Sequence, residues 1–186
     1  MNSYYYLISS LPGISLDSRP QLSLDDFRAS CADQLSTGDS EALEAMLQAE
    51  IAKPHRHPFV ARWNARETQL RNASARLRAV KRQTDASPYI RPHTGFDVAI
   101  NDRVEDAFTE PTPLAREQAL DQIRWNVLDE LVGPNPFSAA AVLAYGVKLQ
   151  ISERWAMLDS EAGQARIGAV LAKDETNTAE NTATAT

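Results

Sequence analysis

Between Pro58 and Pro88 the chain carries its longest periodic pattern, and that pattern restricts the fold more than any other feature. Phe59, Trp63, Arg66, Leu70, Ala73, Leu77 and Val80 follow alternating steps of four and three. That spacing aligns them on one face of a helix running to about Thr84, a heptad seam broken only at Arg66. So short a seam does not make a free coiled coil. It requires a hydrophobic partner inside the same domain, and an antiparallel packing against a helix at 113–132 or at 137–158 would supply one.

The flanking segments read as helices as well. Ser23-Leu-Asp-Asp26 is a capping-box-like start for a helix to about Ser36, with Leu24, Phe27 and Cys31 on one face and Gly38 as its stop. Asp39 or Ser40 then caps a helix with Leu43, Met46, Leu47 and Ile51 inward. A shorter helix is expected over 97–108, with Val98, Val104 and Phe108 as apolar contacts. Thr112-Pro113 is an N-cap followed by proline at the first helical position, and Gly133 supplies the stop. The buried stripe between them is Leu120, Ile123, Val127, Leu128 and Leu131. Phe137 to Leu158 is apolar on most faces and reads as the central core helix, and Asp159 can cap a last helix to about Ala172. Tyr4 to Leu11 fits a short strand or the start of a helix. No second strand-like run offers itself as a partner, which argues against a sheet.

The expected fold class is therefore all-α: one helical domain over 1–172, about six helices including a long hairpin, and a disordered polar tail over 173–186, which reads KDETNTAENTATAT. A chain of 186 residues buries about 70% of its unfolded surface, so such a core needs no staples. No apolar stretch approaches the length of a membrane span. The start, MNSYYYLISSLPG, lacks a basic region followed by a cleavage site, so a cytoplasmic location is expected.

Few residues stand in a pattern that carries chemistry. No two of the seven glycines are separated by one residue, so neither the dinucleotide fingerprint nor the phosphate loop can be built. Cys31 is the only cysteine, which removes disulfides and multi-cysteine zinc sites. Its place on an apolar helix face reads as a small buried thiol. His55-Arg-His57 has the spacing of an extended ligand pair, but the intervening arginine opposes a dication, and exposed loop histidines are the expectation. Acidic neighbours such as Asp129/Glu130 do not face each other on a helix and read as solvated. No catalytic residue, cofactor or metal is expected.

One electrostatic signal is positive. Residues 53–92 hold ten basic and two acidic side chains, a charge of +8, between segments of −6 and −8. The arginines surround the helix rather than forming one edge, which suits charge pairing better than nucleic-acid binding. A nucleic-acid-binding or general protein-interaction module using 53–92 is the alternative reading. Arg71, Asn72, Arg124, Asp129 and Glu130 interrupt helices that must pack, so any that are buried need partners. They form either an internal network between the long helix and the 113–132 helix or, with Arg76 and Arg78, a docking surface.

Four segments in order carry a resemblance: YYYLISSLP at 4–12 with LSLDDF at 22–27, ETQLRNASARLRAVKR at 67–82, RWNVLDEL at 124–131, and Phe137 to Gly163 containing LAYGVKLQISERW. Together they resemble a bacterial family of unknown function encoded beside V-type ATP synthase subunits. That family is similar to a shortened form of the helical socket subunit of V-type ATPases, which joins the central stalk to the membrane ring. The resemblance implies an all-helical fold and a structural or accessory role in that complex. It also implies ATP synthase subunits as partners and a peripheral place at the inner face of the membrane. It supplies no catalytic residue.

Overall fold

The computed structural model describes residues 3–49 and 55–158. Among them are seven α-helices and one 3-10 turn, with no sheet: the protein is all-α. The helices are α1 (Tyr5–Ser10), α2 (Leu24–Ala32), α3 (Thr37–Leu47), α4 (Pro58–Arg82), α5 (Val98–Ala107), α6 (Pro113–Val132) and α7 (Ala139–Leu158). The helix expected over 159–172 and the tail expected over 173–186 lie outside the described residues, as does Ile51.

Several boundaries follow the chemistry read from sequence. The Ser23 hydroxyl accepts from the Asp26 amide at 3.1 Å and caps α2. Thr112 accepts from the Ala115 amide at 3.1 Å with Pro113 in the first turn of α6, and Gly133 ends that helix at φ +70°. The open alternative at Tyr4–Leu11 resolves as the short helix α1, whose Leu7 is fully buried while Tyr6 stays exposed. The only strand-like pairing among the described residues is an isolated bridge between Ser3 and Ser138.

Four expectations about the helices are corrected. Gly38 does not stop α2, which ends at Ala32; it lies in the first turn of α3. The N-cap of α3 is Ser36, not Asp39 or Ser40, because the Ser36 hydroxyl takes the Asp39 amide at 3.3 Å. Val98 is exposed, since the inward face of α5 is set by Ile100, Val104 and Ala107 and Val98 is out of phase with them. The α4 seam is buried at Phe59, Trp63, Leu70 and Ala73, half-buried at Leu77, and lost at Val80, which is 76% exposed. Arg66 stays half-buried and is placed 3.6 Å from Asp97.

Cross-helix pairs give the packing directions. Glu67 meets Arg124 and Arg78 meets Glu117, so α4 and α6 run antiparallel, the first of the two expected arrangements. Asp129 meets Lys148 and Asp121 meets Arg154, so α6 and α7 are antiparallel as well. Contacts join α4 to α5, α5 to α6, and α7 to α2, α3 and α6. The N-terminal segment lies across α7: Tyr4 N donates to Phe137 O at 2.8 Å, Tyr145 Oη to Pro12 O at 2.9 Å, and Ser152 Oγ to Ser15 O at 3.1 Å.

Candidate functional site

Where α4, α6 and α7 meet, the core contains charge. Glu67 and Asp121 are 3% and 0% exposed, positions where an unpaired carboxylate would cost several kcal/mol. Each is neutralised from a neighbouring helix. Arg124 donates through Nε and Nη2 to the two oxygens of Glu67 at 3.0 and 3.1 Å, and through Nη1 to Asp121 Oδ1 at 2.9 Å. All three of its nitrogens are thereby used, in the planar fork geometry that only arginine offers. Arg71, one turn after Glu67, donates from Nε to Glu67 Oε1 at 2.8 Å. Asp121 Oδ2 accepts from Arg154 and, at 2.7 Å, from the indole of Trp155. Burial, the largest single influence on Arg124, pushes its pKa down; the charges and hydrogen bonds of Glu67 and then Asp121 outweigh it, and the net shift is upward.

These groups line an open cleft of about 170 Å³. Its polar lining is Asn64, Glu67, Arg71, Asp121, Arg124, Gln150 and Arg154; its apolar lining is Met46, Ala49, Trp63, Val147 and Ile151. Gln150 is held there by donating to Leu47 O at 2.9 Å. The carboxylates accept multiple charge-assisted bonds, which fix their orientation. Such a cluster is suited to holding charge in place. Among the described residues no group of three or more His, Cys, Asp or Glu has the arrangement of a metal site.

The residues singled out by sequence are distributed over several contacts. Arg71 and Arg124 join the central cluster. Asn72 holds the loop before α5, donating to Arg91 O at 2.7 Å and accepting from Arg91 N at 3.0 Å. Asp129 lies 2.5 Å from Lys148 of α7, and Glu130 lies 3.3 Å from Arg103 of α5. Arg78 pairs with Glu117 at 3.1 Å. Arg76 is exposed and makes no ion pair among the described residues.

Sequence reasoning missed Glu67, Asp121, Arg154 and Trp155. A signal existed for the first: Glu67 follows Val60 by seven residues and Trp63 by four, so it falls in the buried arc of α4 with Arg71 one turn on. Asp121 sits between Leu120 and Ile123, and nothing in the spacing says that its side chain turns inward. His57 is a correction. It is not an exposed loop histidine: its side chain is 20% exposed, with Nε2 3.2 Å from Asp39 Oδ1. Asp39 also accepts from Tyr4 Oη, and from Ser36 Oγ at 2.8 Å. Cys31 is buried as expected, and burial pushes its thiol up to about 11.

A family model described as a protein of unknown function (DUF2764) matches residues 1–52 and 43–173. The chain belongs to this family. No curated protein and no solved structure gives a significant match. No helix among the described residues of this DUF2764 protein is long and apolar enough to cross a membrane.

Proposed function

We propose that this DUF2764 protein is a non-catalytic helical component or accessory of a V-type ATP synthase, docking through the basic end of α4. The observation that carries the docking surface is how the arginines are used. Arg66, Arg71 and Arg78 each pair with a carboxylate of the chain itself, Asp97, Glu67 and Glu117 respectively. Arg76, Lys81, Arg82 and Arg91 are exposed and make no ion pair among the described residues. Unspent charge of one sign orients a partner of opposite charge and speeds its docking. The rotary-ATPase assignment rests on the sequence segments at 4–12, 22–27, 67–82, 124–131 and 137–163. A peripheral place at the inner face of the membrane follows from that assignment.

The test is affinity capture of the tagged protein from its own host, with identification of the chains that co-purify. Arg76→Glu combined with Arg82→Glu should lower recovery of ATP synthase subunits severalfold, more strongly at low salt, while helical circular dichroism stays at the wild-type value. Arg78 is kept, because reversing it would set two carboxylates against each other across α4 and α6. Deleting residues 174–186 should leave recovery unchanged. Capture without ATP synthase subunits, or undiminished capture by the double variant, refutes the reading. Salt-sensitive binding of RNA or DNA would favour the nucleic-acid alternative.

A further inference from the structure

We infer that the cleft between α4, α6 and α7 is a binding site for a small monocarboxylate with a compact apolar body. Five charged side chains line it: Arg71, Arg124 and Arg154 against Glu67 and Asp121. The lining carries one positive charge in excess. Arg124 has no nitrogen to spare, since Nε, Nη1 and Nη2 all bond the two carboxylates. Arg71 and Arg154 are different. Arg71 uses only Nε and Arg154 only Nη2, so two nitrogens of each guanidinium bond nothing among the described residues. Both side chains are about half exposed, at 57% and 53%, and therefore open to a ligand arriving from solvent.

The site is built rather than incidental. Glu67 and Asp121, both buried, anchor one nitrogen of each outer arginine and leave the others uncommitted. Trp63, Met46, Val147 and Ile151 also line the cleft, each under 8% exposed, so the contact they offer the rest of the ligand is apolar but small, which is why its body must be compact. At about 170 Å³ the cleft compares with cavities of about 150 Å³ that admit a benzene ring. An anion of single charge balances the lining; a multiply charged one would not, and an uncharged body alone would leave the free donors unused. This inference is independent of the docking reading, which concerns the far end of α4.

The experiment is isothermal titration calorimetry of the full chain with benzoate, its neutral isostere benzamide, and inorganic phosphate, at constant ionic strength in chloride. Benzoate should bind saturably with a stoichiometry of one, and benzamide and phosphate should bind at least about tenfold more weakly, the worth of one charged hydrogen bond. Arg71→Gln and Arg154→Gln should each weaken benzoate about tenfold, with thermal melting retained because Arg124 still pairs both buried carboxylates. Arg76→Gln, at the exposed docking end, should leave benzoate binding at the wild-type value. Absence of saturable benzoate binding, equal binding of benzamide, tighter binding of phosphate, or full binding by folded Arg71→Gln/Arg154→Gln would each overturn the assignment.

Discussion

Two residues deep in the core show how local chemistry becomes a measurable property. Cys31 is 2% exposed, and burial raises its pKa from 9.0 to about 11. A thiol with a raised pKa holds its proton in the folded chain after the unfolded chain has lost it. Its contribution is complete below pH 9 and is lost as pH rises to about 11. Cys31→Ala should therefore flatten the fall in stability over that window by about 2–3 kcal/mol, read from urea unfolding at a series of pH values. Gly146 is the second. A Cβ there would lie 2.8 Å from Leu43 Cδ1 and 2.9 Å from Phe27 Cε1, and Phe27 has no room to withdraw because it is fully buried. Alanine favours a helix over glycine by about 1 kcal/mol, but overpacking costs about 1–3 kcal/mol. Gly146→Ala should lower the urea midpoint despite its better helix propensity; a raised midpoint would mean that α3 and α7 separate easily.

The elements are joined by charges as well as by apolar stripes, and the two kinds of ion pair differ in worth. Glu67 is the only anion that Arg124 meets on α4, and it lies 3% exposed. Glu67→Ala leaves a desolvated guanidinium half-paired and should cost about 3–5 kcal/mol. Arg71 bonds the same carboxylate from a side chain that is 57% exposed, so Arg71→Gln should cost less than about 1 kcal/mol. Chemical denaturation of both variants checks the contrast, and equal losses would show that Arg124 does not carry the α4–α6 junction. The spacing of Glu67 and Arg71, and the place of Glu67 below Val60 and Trp63, were visible in the sequence, yet that Arg124 would reach it from another helix was not. A helical wheel orders residues around one helix; it does not say how much of that circumference two neighbours cover.

At the scale of the whole molecule, the N-terminal segment ties the first residues to elements far along the chain. Tyr4 Oη donates to Asp39 and accepts from the Ser36 amide at 3.2 Å, while Asp39 also faces His57 at the start of α4. One phenol thus links the N-terminus, the cap of α3 and the entry to the longest helix. Tyr4→Phe removes only that oxygen from a side chain 7% exposed and should cost about 1–3 kcal/mol. Hydrogen exchange should report it as faster exchange at the Ser36 amide; unchanged protection there would show that the cap holds without Tyr4.

The all-α class, the start of α2 at Ser23, the start of α6 at Thr112-Pro113 and its stop at Gly133 were legible in the residues themselves. Each depends on periodicity or on a hydrogen bond that spans three positions of the same segment. Burial of Cys31 and Trp63 was legible for a similar reason, since each lies on an apolar stripe of its own helix. Only the tertiary structure decided that Val98 faces solvent and that the seam of α4 ends before Val80. Only it could place Glu67, Asp121, Arg124 and Arg154 from three helices around one cleft. Those side chains are separated by up to 87 residues, and their meeting depends on how α4, α6 and α7 settle against one another. A local pattern carries information about neighbours within a few turns, whereas a charge cluster is a property of the distances between helices.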